Sequence, residues 1–419
     1  MTDGQQFPPA ARGPSPSSNN RPLDPSSGLP FAAHTLAMIS GGTEAWEVHY
    51  QALTRRERGE DVIVLSVGDP DFDTPSPIVD TAIASLRAGE THYTVSGGVG
   101  VLAETIAQVE SARLGLPICA AQVVTTAGAQ NALYSVFRCL LEPGDEALLL
   151  APAYTMFAGL ATASGAAVRE VALDVEHGFA LDVDAIARAI TPATRVLLAN
   201  FPHNPSGAVA DPDALAELVN LCRQRGVWLV SDEAYCDLVF NGEFVSPASL
   251  TKDTRHVVVV RSLSKSHAMT GWRVGWTLTT PTLSAHLRNL VAHVSYGSSE
   301  FVQAGAIAAL TMPLPEIAAM QAAYRRRRDV LVEALAKIPG VVPMSPDAGI
   351  FCLADVSATG LDGTHFAERL LEQTGVSVLT GAAFSPLLKD HIRISLCEPE
   401  DRLIEAVLRI HAMVRQLNV

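Results

Sequence analysis

Val257-Val258-Val259-Val260-Arg261 runs into Ser262-Leu263-Ser264-Lys265-Ser266-His267-Ala268-Met269-Thr270-Gly271-Trp272-Arg273-Val274-Gly275. The valine run reads as a buried strand. A turn rich in small hydroxylated residues follows it, with one lysine inside. Open α/β sheets take their ligands beyond the carboxyl ends of their strands, which is where Lys265 falls. Ser262, Ser264 and Arg273 supply the donors that a phosphate needs. A lysine beside a phosphate site suggests a carbonyl cofactor held as a Schiff base. The plain alternative is a solvated loop lysine, so the rest of the chain has to decide.

The chain has 419 residues, a net charge of −14 and a hydrophobic content of 48%. That length suffices for two domains and a well-buried core. The acidic balance argues against nucleic acid or an anionic membrane surface as the main partner. Six cysteines are scattered without a C-x-x-C pair, as in a reduced cytoplasmic protein. The twelve histidines show no metal-ligand spacing, so no metal is expected. No apolar run is long enough to span a membrane. Residues 1–28, rich in Pro, Ser and Asn, read as a disordered tail rather than a signal peptide.

From about residue 122 onward strands and helices alternate. Gln122 to Thr126 is a strand, and Gly128-Ala129-Gln130 turns into a helix. Glu146 to Ala151 is a strand that exits at Tyr154. Arg195 to Ala199 leads into Asn204-Pro205-Ser206-Gly207. Asp211-Pro212 starts a helix, Gly226 ends it, and Val227 to Val230 runs into Ser231-Asp232-Glu233. This is a capped βαβ unit and hence a parallel, right-handed crossover. Earlier, Val62 to Val67 reads as a strand, Gly68 to Pro75 as a loop on turn chemistry, and Ser76 as the cap of the next helix. Beyond Gly275 come a long helical region from Ser299 to Lys337, three strands (350–354, 376–379, 392–396) and a final amphipathic helix. The run Arg325 to Arg328 suits a solvated helix face or an interface better than a nucleic-acid patch, given the net charge.

A parallel sheet would bring Gly128-Ala129-Gln130, Tyr154, Asn204, Asp232 with Tyr235, and Lys265 into one crevice. A helix N-terminus favours a phosphate. The others are an aromatic face, an amide, a carboxylate, a phenol and an amine, which are the parts that pyridoxal phosphate requires. Taken singly, Asp232 could be a helix cap, Asn204 a turn residue, Tyr154 a core residue and Tyr93 a surface aromatic. It is their joint occurrence that carries the reading.

From about Phe31 to the C-terminus the chain resembles the fold-type I, class I/II aminotransferases of pyridoxal phosphate. The motifs are Ser262 to Arg273, Asn204 to Gly207, Ser231 to Tyr235, Gly68 to Pro75 and Arg393-Ile394-Ser395. Ser206 stands where threonine is usual, and Ala153-Tyr154 where a bulkier aromatic pair is common. The resemblance implies an α/β fold with a large domain, whose mostly parallel seven-stranded sheet lies between helices, and a smaller α+β domain. The expected boundaries are a tail at 1–28, an N-terminal part of the small domain at 29–62, the large domain at 63–300 and the rest of the small domain at 301–419.

The resemblance also assigns roles. Lys265 would hold the cofactor and carry the substrate proton, Asp232 would pair with the pyridine nitrogen, and Asn204 and Tyr235 would bind the phenolic oxygen. Ser262, Ser264, Arg273, Gly128, Ala129 and Gln130 would hold the phosphate, and Tyr154 would stack on the ring. Arg393 would bind the substrate carboxylate beside Gly68, with Asn204 near. Tyr93 would reach the phosphate of a neighbouring subunit, which implies a homodimer. Residues 45–50, 65–75, 296–301 and 324–329 resemble family members that take L-arginine as donor and pyruvate as acceptor. Glu300, Asp71 and Glu44 are candidates to meet a guanidinium. Alternatives are aspartate, aromatic or neutral donors, and a carbon–sulfur lyase on the same fold.

Overall fold

A computed structural model describes residues 24, 26–32, 34–35, 46–94, 98, 100–251 and 253–417. The expected tail falls almost wholly outside these residues, as do Glu44 and the loop at 95–97.

In chain order the elements are α1 (Glu47–Glu57), β1 (Ile63–Val64), α2 (Ser76–Arg87), α3 (Gly100–Leu114), β2 (Val123–Thr126), α4 (Ala129–Leu140), β3 (Glu146–Ala151), α5 (Phe157–Thr162), β4 (Ala167–Ala172), α6 (Val183–Ala189), β5 (Thr194–Asn200), α7 (Pro212–Arg225), β6 (Trp228–Asp232), β7 (Val257–Ser262) and β8 (Gly275–Leu278). They continue as α8 (Pro281–Val294), α9 (Glu300–Thr311), α10 (Pro315–Leu335), β9 (Val342–Met344), β10 (Phe351–Asp355), α11 (Gly363–Thr374), β11 (Val376–Ser377), β12 (Leu379–Thr380), β13 (His391–Ser395) and α12 (Glu400–Arg415).

Seven strands form the main sheet in the order β2-β8-β7-β6-β5-β3-β4. β8 alone runs antiparallel to both its neighbours. Its first residue, Gly275, therefore lies at the sheet edge where β2 and β7 end, opposite Thr126 and Ser262. In the next strands Asn200 is in register with Asp232. One edge of the sheet thus collects the exits of β2, β7, β6 and β5, and the entry to β8. Val257 to Val260 are fully buried, so each contributes roughly 1.5–3 kcal/mol through removal of apolar surface from water. α7 has the ends its sequence specifies. The Asp211 carboxylate accepts from two backbone N–H groups, and Gly226 closes the helix with φ +67°.

Several elements depart from the sequence reading. β1 is shorter than expected and pairs with β11 rather than with the main sheet. Ala52, Val62 and Val64 share a small core with Leu371 of α11. Ser76 is the first helical residue rather than the cap and makes no capping bond. The helical region at 299–337 is two helices, because Pro313 holds Met312 extended and ends the first, and Pro315 opens the second. Of these, α9 contributes Ala306 and Ala309 to the core beside the main sheet. The strand expected at 376–379 is two short strands, β11 and β12, in different sheets. Among the described residues no single helix is long and apolar enough to cross a membrane.

Candidate active site

Twelve of the expected site residues line one crevice at the strand ends: Gly68, Ala129, Gln130, Tyr154, Asn204, Asp232, Tyr235, Ser262, Ser264, Lys265, Arg273 and Arg393. Gly128 lies just behind it. With φ +84°, it would place a Cβ 2.5 Å from Nη2 of Arg273, so only glycine lets the guanidinium approach the start of α4. Gly275 is constrained in the same way, since a Cβ there would meet the backbone of Gly128 and Ala129 at 2.7 Å. Together the two glycines bring Arg273, Ser262, Ser264 and the free N–H groups of α4 to one point, which is suited to an anion. Arg273 is held there by bonds from Nη1 to the Thr270 carbonyl (2.9 Å) and from Nη2 to the Ala127 carbonyl (3.3 Å).

Nζ of Lys265 donates to the Gly68 carbonyl at 2.5 Å. Burial lowers its pKa, aided by Arg273 and Arg393 and opposed by Cys397 and Asp69. The chain has four lysines, Lys252, Lys265, Lys337 and Lys389. Lys337 is paired with Glu333 on the surface and Lys389 is exposed. Among the described residues Lys265 is therefore the one lysine that can present an amine to the crevice.

Asp232 is 6% exposed, and burial pushes its pKa up to about 7 despite a bond from the Ala234 N–H. Among the described residues no cation pairs with it. A buried carboxyl without a counter-charge is costly, and a bound cation such as a protonated ring nitrogen would relieve that cost. Asn200 fixes this part of the site. Its Nδ2 donates to the Asp232 carbonyl (3.0 Å) and its Oδ1 accepts from the Asn204 N–H (3.1 Å). Burial likewise keeps the Tyr235 hydroxyl protonated.

Arg393 is 1% exposed. It donates to Asn204 Oδ1 (3.0 Å) and to the Ser66 carbonyl (2.8 Å). Its guanidinium lies between the rings of Phe351 (3.8 Å) and Phe384 (4.8 Å). Burial lowers its pKa to about 10, and its Nε is buried without a partner. A fixed guanidinium with a donor to spare is a receptor for a carboxylate. Gly68 must be glycine beside it, because a Cβ would fall 2.2 Å from Cζ of Phe351.

Tyr93 is the exception among the expected residues. It lies outside this crevice, 85% exposed, with its ring 4.6 Å from that of Tyr296. Glu300 lines the same outer pocket. Asp71 is bound to Arg327. Neither acid is therefore part of the crevice within this chain. Sequence reasoning did not assign Asn200, Phe351, Phe384 or Thr270 to the site, nor the apolar wall of Trp46, Val67, Leu133, Phe157 and Leu160. Asn200 carried a signal, an amide four residues before Asn204 at a strand end. The apolar wall carried none that distinguishes it from core.

The donor set fits pyridoxal phosphate. The anion point suits its phosphate, Lys265 its carbonyl, Asp232 its ring nitrogen and Tyr154 its ring face. The family model described as aminotransferase class I and II matches residues 60–410. Arginine–pyruvate transaminase AruH of Pseudomonas aeruginosa is 47% identical over 387 residues, 92% of this chain and 98% of that protein. The aspartate/prephenate aminotransferase of Thermus thermophilus is 33% identical over 86% of this chain and 93% of its own length. Among solved structures, Thermus thermophilus aspartate aminotransferase with maleate superposes with a TM-score of 0.87. It is 32% identical and covers 92% of this chain and 100% of that one.

Proposed function

The chain belongs to the class I and II aminotransferases, and on that premise we propose that it moves the amino group of L-arginine to pyruvate. It is a pyridoxal-phosphate-dependent transaminase acting on amino acids and 2-oxo acids. When bound, the cofactor supplies a carbonyl that accepts an amino group and a ring that withdraws electrons from the substrate Cα. The observation that carries the chemistry is the meeting of Lys265, Asp232 and the partly unpartnered Arg393 in one crevice.

Each residue's role in this proposal follows from its chemistry. Arg393 binds the substrate carboxylate and, through Asn204, orients it against the cofactor site. Nζ of Lys265 would move the proton from the substrate Cα to the carbonyl carbon of the cofactor, a task helped by its lowered pKa. The Asp232 carboxylate keeps the ring nitrogen protonated. Asn204 and Tyr235 donate toward the phenolic oxygen, and Ser262, Ser264, Arg273 and the start of α4 hold the phosphate. The apolar wall keeps water from the reacting atoms.

Two observations support arginine as the donor. One is the 47% identity to a transaminase named for that substrate. The other is the apolar wall itself. Val67, Leu133, Phe157 and Leu160 suit the packing of three methylenes, and Trp46, which lines the same crevice, is an aromatic residue of the kind that attracts a guanidinium. A dicarboxylate donor would call for a further cation on that wall. We further propose a cytoplasmic homodimer in which the exposed pair Tyr93 and Tyr296 faces the neighbouring subunit.

The test is a screen of L-arginine, L-aspartate, L-phenylalanine and L-alanine, each with pyruvate and with 2-oxoglutarate as acceptor. Arginine with pyruvate should give alanine and 5-guanidino-2-oxopentanoate at the highest kcat/KM. Turnover of aspartate or aromatic donors with no use of arginine would overturn the substrate assignment. Release of ammonia without an acceptor would point to a lyase.

A further inference from the structure

The run Arg325 to Arg328 has no part in the chemistry above, and its environment departs from the solvated face expected of it. Arg327 and Arg328 are buried, at 7% and 6% exposure. Arg328 donates to the Pro346 carbonyl at 3.2 Å, Arg325 donates to the Phe240 carbonyl, and both lie over the Phe240 ring. Arg326 is exposed.

Arg327 is placed differently from the others. It forms a two-pronged ion pair with Asp71, Nη1 to Oδ1 at 2.6 Å and Nη2 to Oδ2 at 2.8 Å. Nη1 also donates to the Leu396 carbonyl at 3.0 Å. Its guanidinium lies over Phe72 (4.7 Å) and Tyr324 (5.5 Å). Asp71 is three residues after Gly68, and Leu396 is three residues after Arg393. One side chain on α10 therefore joins the two segments that form the carboxylate end of the crevice, without lining the crevice itself.

We propose that Arg327 is a positioning residue that sets the spacing between Gly68 and Arg393, and so the fit of the substrate carboxylate. The loop from Gly68 to Pro75 is fastened along its other side to the segment that carries Lys265. Thr270 Oγ1 donates to Asp69 Oδ1 (2.6 Å), Thr74 Oγ1 to the Ala268 carbonyl (2.6 Å), and Trp272 Nε1 to Thr74 Oγ1 (3.0 Å). That side fixes the Gly68 carbonyl against Lys265. The Arg327 side fixes the same loop against Leu396, one residue beyond β13, whose last residue Ser395 donates its N–H to the Leu65 carbonyl (2.9 Å). Without the Asp71 clamp the loop keeps its tie to Lys265, while toward Arg393 only the bonds before Gly68 remain, from Arg393 to the Ser66 carbonyl and from Ser395 N–H to the Leu65 carbonyl. A planar fork with three bonds in a buried site has no equivalent in lysine. The phosphate-holding residues belong to other segments and are untouched by the clamp.

The inference rests on the aminotransferase reading only in taking Arg393 and Gly68 as the carboxylate end. It does not depend on which donor is used. The experiment measures, on the holoenzyme, the half-reaction with each amino acid that the wild type accepts, and separately the dissociation constant of the cofactor and the melting temperature. Arg327→Ala and Asp71→Asn should raise the half-saturating amino-acid concentration 10- to 100-fold for every accepted donor. The limiting rate and the cofactor dissociation constant should change less than threefold. Arg327→Lys should recover part of the loss, and Arg326→Ala should match the wild type. If Arg327→Ala does not fold, Arg327→Lys and Asp71→Asn carry the comparison. Unchanged saturation in the folded variants, or losses that follow cofactor release or melting temperature alone, would overturn the proposal. If the wild type rejects arginine but accepts another donor, the substrate assignment fails while this comparison still stands.

Discussion

Nη1 of Arg393 donates to Oδ1 of Asn204 across 3.0 Å, and both side chains are buried. The group proposed to bind the substrate carboxylate and the amide proposed to face the cofactor therefore share a hydrogen bond. Arg393→Lys would break this bond or the one to Ser66, since an ammonium cannot span both and a carboxylate as well. Loss of one charge-assisted bond costs about 1.5–3 kcal/mol, or roughly 10- to 150-fold in kcat/KM. Steady-state kinetics should show the loss for amino acid and 2-oxo acid alike.

Asp232 predicts a conflict between stability and function. Its pKa in the folded, cofactor-free chain is raised from 3.8 to about 7 by burial. A raised carboxyl pKa gives stability that is present below about pH 4 and lost as the pH rises through 7, by roughly 4 kcal/mol. Asp232→Asn should therefore melt higher than the wild type at pH 8 when both lack cofactor, while its activity collapses. Cofactor should stabilise the wild type more at pH 8 than at pH 5. Calorimetry on the cofactor-free and loaded forms checks both statements.

Gly128→Ala probes the anion point. The new Cβ would meet Arg273 at 2.5 Å from a backbone with φ +84° and ψ +168°, and that conformation alone costs about 1–3 kcal/mol for a residue other than glycine. Displacing Arg273 adds to that. The cofactor dissociation constant, from fluorescence titration, should rise tenfold or more with the overall fold retained by circular dichroism.

His203 sets an acid limit. Buried beside Asn204, its ring bonds to the Pro152 carbonyl (2.8 Å) and to Ser206 Oγ (2.6 Å). The carbonyl can only accept, so Nε2 carries the proton and Nδ1 accepts from the serine. Burial lowers its pKa from 6.5 to about 4. The unfolded chain binds the extra proton first as the pH falls, so stability is full above about 6.5 and is lost toward 4, by roughly 3 kcal/mol from this group. Urea unfolding of His203→Gln should show a shallower loss than the wild type across that window. An equal slope would remove His203 from the account.

The main sheet was legible where strands are uniformly buried, as in Val257 to Val260. It was not legible in β4, an exposed edge whose sequence Ala-Val-Arg-Glu-Val-Ala does not alternate, nor in β8, which has only four residues. Yet it is the antiparallel course of β8 that brings Arg273 to the ligand edge. The five strand ends could be predicted to converge because a parallel sheet requires it. The aromatic sandwich on Arg393 could not, because Phe351 reaches it through the pairing of β10 with β13. The four arginines looked solvated for the same reason, since Asp71, the partner of Arg327, is 256 positions away in sequence. Tyr93 could be picked out by motif, but nothing local shows which crevice it faces.

The proposed chemistry requires that Lys265 hold the cofactor. Borohydride reduction of the purified holoenzyme, followed by peptide mapping, identifies the attachment site directly. The pyridoxyl group should be found on Lys265 alone, and Lys265→Ala should take up none and lose turnover. A pyridoxyl group on Lys252, Lys337 or Lys389, or turnover retained in Lys265→Ala, would contradict the site described above.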